Sequence, residues 1–141
     1  MMAEAVRFLA PEQAHYLAEM AERARAGLSR FVGYEADYSA TALQLLDEWI
    51  DRHLRQFPNP SQGMCSLWIS FLGEMFRRHH RGEWIFQEQD KGKGLAVLCP
   101  TEGGGLYTVD VSGPVNRRIA HGMSASLSYF YTVTCIKLKA E

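Results

Sequence analysis

The residues best suited to chemistry lie near the middle of the chain, between Ser61 and Trp84. Glu74 falls within an apolar helical pattern, four residues before Arg78 in a basic run that ends at Arg81. A half-buried carboxylate with a raised pKa could transfer protons, and Glu74 would then be a general acid or base. A glutamate four residues before an arginine is also the spacing of an ordinary helical ion pair, which is the interpretation we favour.

Three further residues could join Glu74 in acid–base chemistry, namely His53, His79 and Glu83. His53 lies in the middle of the apolar face of its predicted helix, and His79 lies near the apolar side of the next helix. If these helices pack together, the histidines could approach Glu74, as a proton relay or a metal site requires. No spacing typical of metal ligands is present, so we predict neither a metal nor a cofactor. This set of residues would support a small acid–base hydrolase.

The basic run could instead bind an anion, such as a phosphate ligand, or an acidic protein surface. Tryptophan and arginine carry much of the binding energy at protein interfaces. The predicted binding residues are Arg77, Arg78, His80, Arg81 and Trp84. The alternative is structural, because cations at a helix C-terminus complement the partial negative charge of its last carbonyl groups.

The composition of the chain bounds the function further. Its 141 residues fit one domain, spanning residues 1–141. The net charge of −1 is unlike the basic excess of nucleic-acid-binding proteins, so a nucleic-acid partner is not expected. Neither a signal-peptide pattern nor an apolar segment of about 18 residues is present, and we predict a cytoplasmic protein without a membrane partner. Cys65, Cys99 and Cys135 are odd in number and widely spaced, which favours reduced thiols.

Helical periodicity predicts three N-terminal helices that must position these side chains. The first runs from Pro11 to a stop at Gly33, and the second ends before Pro58. Thr41-x-x-Gln44 matches a capping box for the second helix, with Asp37 and Ser39 as competing caps. The third helix follows Ser61, and Gly82 is its predicted left-handed C′ residue. Gly63 and Gly73 lower its helix propensity, and we expect a neighbouring element to approach closely at these positions.

The second half of the chain predicts a sheet followed by helices. Three short segments rich in β-branched and aromatic residues are separated by glycine-rich turns, and they span Glu83–Gln89, Leu95–Cys99 and Leu106–Val111. Gly113-Pro114 opens another helix. Residues 125–138 have the composition of a strand but the spacing of a helix, and we prefer the helix. The predicted fold is therefore α+β, with N-terminal helices, a three-stranded antiparallel meander, and a C-terminal helix or helices packed on the sheet.

Short motifs give the chain a resemblance to a group of small bacterial α+β proteins that share a domain of unknown function. The motifs are Tyr38-Ser39-x-x-Ala42-Leu43-x-x-Leu46-Asp47, Gly73-Glu74, Gly82-Glu83-Trp84, and Pro114-Val115-Asn116-Arg117-Arg118. The resemblance covers residues 36–131. It implies the α+β fold, and some members of the group are similar to immunity proteins, which neutralise a partner toxin.

Three functions follow from these residues. The first is a non-enzymatic protein-binding module, immunity-like or regulatory, that uses the basic run and could form a homodimer. The second is the small hydrolase that would use Glu74 with His53 or His79. The third is a sensor of an anionic ligand that would use the same basic run as the first.

Overall fold

The computed structural model describes residues 6–89 and 92–140, which form five α-helices and one four-stranded antiparallel sheet. The helices are α1 (Pro11–Val32), α2 (Ala40–Gln56), α3 (Gln62–His79), α4 (Ser112–His121) and α5 (Leu127–Ala140), and a 3-10 turn (Gly122–Ala125) precedes α5. The strands are β1 (Val6–Phe8), β2 (Glu83–Gln89), β3 (Gly92–Pro100) and β4 (Leu106–Asp110). Residues 1–5, 90–91 and 141 lie outside the described residues. The first five belong to the segment in which no signal-peptide pattern is expected, and residues 90–91 belong to the predicted connection between the first two predicted strands.

The predicted α+β class and the meander of β2, β3 and β4 are confirmed, and the sheet order is β1-β2-β3-β4. The prediction of only three strands is wrong, because β1 adds a fourth strand at the edge. Phe8 pairs with Ile85 of β2 in antiparallel register. A three-residue strand is too short to show an alternating pattern in the sequence. Its pairing depends on β2, nearly eighty residues later.

The helix ends follow the sequence in part. Pro11 begins α1, and Gly33 ends it in the left-handed conformation with a φ of 84°. Ser39, rather than Thr41, caps α2, because the Ser39 hydroxyl accepts a hydrogen bond of 3.1 Å from the backbone N–H of Ala42. Residues 127–140 form α5, which confirms the helix preferred for the ambiguous segment.

The third helix is the centre of the core. Trp68, Phe71 and Phe76 on α3 are fully buried. Gly73 permits the close approach expected there, since a Cβ at this position would lie 1.9 Å from the Trp84 ring of β2. Gly63 does not share this role, because a Cβ there would meet only the Ser61 hydroxyl at 3.9 Å.

The end of α3 differs from the prediction. Arg81, not Gly82, occupies the left-handed conformation, with a φ of 55°. The N–H of Gly82 reaches back to the carbonyl of Phe76 at 3.4 Å. Gly82 is needed for space instead, because a Cβ there would lie 2.2 Å from the Val97 side chain.

A buried ion pair joins the C-terminal helices to α2. The Nε of the fully buried Arg118 donates to Asp47 Oδ1 at 2.8 Å, and the Asp47 carboxylate also accepts the backbone N–H groups of Leu127 and Ser128 at 3.0 Å each. Asp47 thus caps α5 from another helix. The prediction of a C-terminal helix packed on the sheet is confirmed for α4, which contacts β3. It is corrected for α5, which lies against α2, α4 and the end of α3.

Among residues 6–89 and 92–140, none of the helices is long and apolar enough to cross a membrane.

Candidate functional site

The carboxylate of Glu74 organises the end of α3. Its side chain is only 2% exposed, yet it reaches two arginines that are each 43% exposed. Arg77 donates to both carboxylate oxygens, from Nε at 2.6 Å and from Nη2 at 2.8 Å, and Arg78 donates from Nε at 2.9 Å. The ion pair predicted between Glu74 and Arg78 is therefore present, and Arg77 joins it.

These contacts keep Glu74 ionised. Burial acts to raise the pKa of this carboxyl group, but the hydrogen bonds and charges of Arg77 and Arg78 outweigh burial and lower the pKa below its ordinary value of 4.5. A general acid at neutral pH requires the opposite shift. Glu22 of α1 also lies 4.0 Å from Nη2 of Arg78, so two carboxylates face the guanidinium groups of Arg77 and Arg78.

Tyr38 supports this cluster from the segment before α2. The Arg78 guanidinium lies over the Tyr38 ring, with its carbon 4.2 Å from the ring centre, which is a cation–π geometry. The Tyr38 hydroxyl donates to Glu22 of α1 at 2.5 Å, and Arg25 pairs with the same glutamate at 3.1 Å. Burial and the Glu22 carboxylate raise the pKa of Tyr38, so the phenol stays protonated as a donor.

His79 fixes the last turn of α3 to the same segment. Its Nε2 donates to the backbone carbonyl of Tyr38 at 2.5 Å. Beside this contact is a surface cavity of about 370 Å³, lined by Asp37, Tyr38, Ser39, Arg78 and His79. The arginine, the histidine and the hydroxyl groups of this lining can bind a small anion or a carboxylate side chain, whereas Asp37 adds a negative charge of its own.

Arg81 extends the positive surface beyond the helix. Its side chain is exposed and makes no ion pair or hydrogen bond with any other described residue. A left-handed conformation is costly for a residue with a Cβ, by roughly 1 kcal/mol. We call Arg77, Arg78, His79 and Arg81 together the α3 basic surface.

His80 points away from the α3 basic surface and toward α5. Its Nε2 lies 3.2 Å from Tyr131 Oη and 3.2 Å from Cys135 Sγ. Burial, together with the nearby positive charges of His79 and Lys139, lowers the pKa of His80 below 6.5. His80 is therefore a neutral packing residue at pH 7.

Trp84 is also remote from solvent. Its side chain is buried against Gly73, and only 4% of the residue is exposed. Of the five predicted binding residues, the structure leaves Arg77, Arg78 and Arg81 exposed at one helix end, whereas His80 is half-buried and Trp84 is buried.

The predicted acid–base residues do not form one hydrogen-bonded cluster in the described part of the chain. His53 packs against the rings of Phe57 and Trp68, with centroids 5.0 Å and 5.5 Å away. Trp68 is six residues before Glu74, a rise of about 9 Å along the helix. Glu83 is exposed at the start of β2. Within residues 6–89 and 92–140, no hydrogen bond joins any two of Glu74, Glu83, His53 and His79.

Sequence reasoning did not identify Tyr38 or Glu22 as parts of the site. Tyr38 is a member of the motif that carries the family resemblance, but its ring meets Arg78 only because α1 and α3 pack together. Asp47 and Arg118 of the same motifs are buried and structural. The signal that could have found Tyr38 is its place directly before the Ser39 cap, at a connection between two helices.

We find no reactive thiol or metal-binding cluster among the described residues. All three cysteines are free, and burial raises the pKa of Cys99 to about 12. No group of three or more histidine, cysteine, aspartate or glutamate residues in the described part of the chain is placed to hold a metal ion.

No protein-family model, curated protein or solved structure matches this chain. The resemblance to small bacterial proteins over residues 36–131 therefore stays a prediction.

Proposed function

We propose that the protein is a cytoplasmic, non-enzymatic protein-binding module whose α3 basic surface recognises an acidic surface on a partner protein. The role fits a regulatory or immunity-like protein, as the resemblance implies. The proposal rests on the chemistry of the helix end and not on any matched relative.

One observation carries the proposal: the buried Glu74 carboxylate holds two exposed guanidinium groups side by side. Arginine side chains lose considerable freedom when they bind a partner, and a side chain that is already fixed loses less. The Nε atoms of Arg77 and Arg78 both face Glu74, which leaves Nη1 of each guanidinium free of this carboxylate. Each free Nη1 can donate a charge-assisted hydrogen bond to a carboxylate of a partner.

Arg81 supports the same proposal from the backbone. Glycine is the residue that most easily adopts the left-handed position after a helix, and arginine is placed there at a cost in stability. No ion pair of the Arg81 side chain with another described residue offsets this cost in stability. A contact with another molecule would account for its presence.

A sensor of a small anionic ligand is the second candidate, and the cavity beside Arg78 and His79 favours it. The hydrolase is less well supported, because both oxygens of Glu74 are occupied by arginine donors and its pKa is lowered. A general acid or base must lie within hydrogen-bond reach of its partner groups.

The test is affinity capture from a lysate of the native host at physiological salt, with quantitative mass spectrometry. The wild-type chain is compared with Arg77→Ala/Arg81→Ala and with a control, Arg52→Ala/Arg55→Ala, which removes two exposed cations from α2. We expect the wild-type chain and the control to capture one stoichiometric partner. The affinity of the Arg77/Arg81 variant for this partner should be at least tenfold lower, equivalent to about 1.4 kcal/mol.

Two results would contradict the proposal. Equal capture by the wild type and the Arg77/Arg81 variant would place the binding site elsewhere. Failure to capture a partner, together with a rise in melting temperature on adding inorganic phosphate, would favour the anion sensor, because a ligand that binds only the folded state stabilises it.

A further inference from the structure

The outward side of α1 carries a regular pattern of charge. At about 100° per residue, six residues fall within an arc of about 80° on this helix. In chain order they are Glu12, Tyr16, Glu19, Arg23, Ala26 and Arg30. We call them the α1 stripe. The first half of the stripe is acidic and the second half is basic, and buried residues such as Leu17 and Ala24 lie on a different side of the helix.

The charges of the α1 stripe are largely unused within the chain. The side chains of Glu12, Arg23 and Arg30 make no ion pair or hydrogen bond with any other residue that the structure describes. Among the described residues the Glu19 side chain forms an ion pair only with His15, through Oε1 at 3.0 Å, and the two side chains are 56% and 76% exposed. Exposed pairs of this kind contribute little to stability, so Glu19 remains available to another partner.

The pattern is complementary to itself when reversed. If two copies of α1 run antiparallel about a twofold axis level with Ala21, residues whose numbers add to 42 lie level with each other across the contact. Glu12 then faces Arg30, Glu19 lies within reach of Arg23, and Tyr16 lies level with Ala26, each in both directions. Every charge of the α1 stripe meets the opposite charge. A twofold interface requires this self-complementarity, because the same patch serves both copies.

A groove lies beside the α1 stripe, close to the position that Tyr16 of a second copy would take in the antiparallel arrangement. The groove has a volume of about 440 Å³ and is lined by Arg23, Ala26 and Arg30 together with Met20, Gly63 and Leu67. Tyr16 is 55% exposed. In the antiparallel arrangement the Tyr16 ring of one copy lies level with Ala26 of the other, beside this groove. An exposed aromatic ring that enters an apolar groove is a common anchor at protein interfaces.

We propose that the protein forms a homodimer in which two copies of α1 pair antiparallel through the α1 stripe, with the tyrosine of each copy in the groove of the other. Helix α1 has 22 residues and is about 33 Å long, so the contact extends along most of one side of the molecule. The α3 basic surface is not part of this pairing, and binding of an acidic partner and dimerisation are separable.

The test is sedimentation equilibrium of the full chain over a range of concentrations, at low and at physiological salt. We expect a species of twice the 16.0 kDa chain mass whose dissociation constant rises with salt, because exposed charge pairs are screened. Glu19→Arg alone and Arg23→Glu alone should each weaken self-association at least about tenfold, since like charges then face each other. The control Glu48→Arg makes the same charge change on an exposed position of α2 and should leave the dimer intact.

Mixing the two single variants separates a specific pairing from a folding defect. A Glu19→Arg copy and an Arg23→Glu copy present opposite charges to each other in both directions, so an equimolar mixture should recover the dimer mass. A wild-type chain that stays monomeric at every concentration would overturn the proposal. A dimer that both single variants retain, or a mixture that stays monomeric, would also overturn it. None of these results bears on capture of an acidic partner, which is measured with the Arg77/Arg81 variant.

Discussion

At the scale of single residues, the Glu74 carboxylate holds together two guanidinium groups that would otherwise repel each other. The carboxylate is buried and the arginines are exposed, so the negative charge lies beneath a positive surface. The fold thereby fixes the position of two guanidinium groups while leaving both of them exposed. The same contacts that keep Glu74 ionised make it a poor acid at neutral pH.

The pKa of Glu74 leads to a prediction about pH. Because the pKa is lowered in the folded state, the unfolded chain binds the proton first as the pH falls below 4.5. The stability contributed by the ionised carboxylate is therefore present above that pH and lost as the pH falls through the folded pKa. We expect Glu74→Gln to lower the free energy of unfolding by about 2 kcal/mol at pH 7, and the difference from wild type to shrink on acidification. Urea unfolding at several pH values measures this, and a difference that is constant with pH would contradict it.

Arg81 makes a second prediction at this scale, in which stability and binding change in opposite directions. Arg81→Gly should raise the free energy of unfolding by about 1 kcal/mol, because glycine adopts the left-handed conformation without the Cβ clash. The same variant should bind the acidic partner more weakly. Arg81→Ala is the matched control, since it removes the charge but keeps a Cβ at the left-handed position. Thermal unfolding of the wild type and both variants measures the effect, and equal stability of Arg81→Gly and Arg81→Ala would contradict the strain.

At the scale of elements, the contact between α3 and the sheet depends on one missing side chain. The Trp84 ring lies where a Cβ of residue 73 would be, 1.9 Å away. Helix propensity alone predicts that Gly73→Ala stabilises the protein by about 1 kcal/mol. Overpacking of a core costs about 1–3 kcal/mol, and more where a buried ring cannot move. We expect the cost of this steric clash to exceed the gain in helix propensity.

Gly73→Ala should therefore lower the free energy of unfolding by about 2 kcal/mol or more, measured by urea unfolding at pH 7. Gly63→Ala on the same helix is the matched control, because open space surrounds that position apart from the Ser61 hydroxyl. The control should be neutral or stabilising, by up to about 1 kcal/mol. If both variants behaved alike, the packing of Trp84 on Gly73 would not be the reason for the glycine.

The elements that sequence predicts best are those whose pattern is local. The apolar repeat from Leu17 to Leu28 defines α1, and the three β-rich segments define the meander. The composition of α5 is that of a strand, and its helical state depends on Asp47, which caps it from α2. The strand β1 likewise depends on a distant partner. These features could not be read from neighbouring residues, because the groups that stabilise them lie far away in the sequence.

The candidate site was predicted in a similar, partial way. The run of basic residues and the nearby glutamate can be recognised in the sequence. Glu74, Arg77, Arg78 and Arg81 could therefore be predicted as site residues. Whether a side chain faces solvent depends on what packs beside it. Tertiary contacts bury Trp84 against Gly73 and direct His80 toward Tyr131. No local sequence pattern predicts either contact.

At the scale of the whole molecule, the pair of Asp47 and Arg118 connects three helices. Both side chains are almost completely buried, and Asp51, which is 34% exposed, contacts Arg118 from the solvent side at 2.5 Å. Removing one partner of a buried pair leaves an uncompensated charge. This connection holds the C-terminal helices on α2, at a distance from the α3 basic surface.

Asp47→Ala should lower the free energy of unfolding by about 3–5 kcal/mol, because Arg118 loses its buried partner and α5 loses its cap. Asp51→Ala should cost less, about 1 kcal/mol, since that carboxylate is partly solvated. Hydrogen exchange measures the same effect locally, and the amides of Leu127 and Ser128 should exchange faster in Asp47→Ala. Equal losses of stability in the two variants would contradict the central place given to Asp47.

The most direct test of the function is the comparison of partner capture by the wild-type chain, Arg77→Ala/Arg81→Ala and Arg52→Ala/Arg55→Ala from the host lysate at physiological salt. We predict one stoichiometric protein partner, retained by the α2 control and lost by the α3 variant, with all three chains folded. Retention of the partner by the α3 variant at unchanged affinity would contradict the assignment of binding to the α3 basic surface.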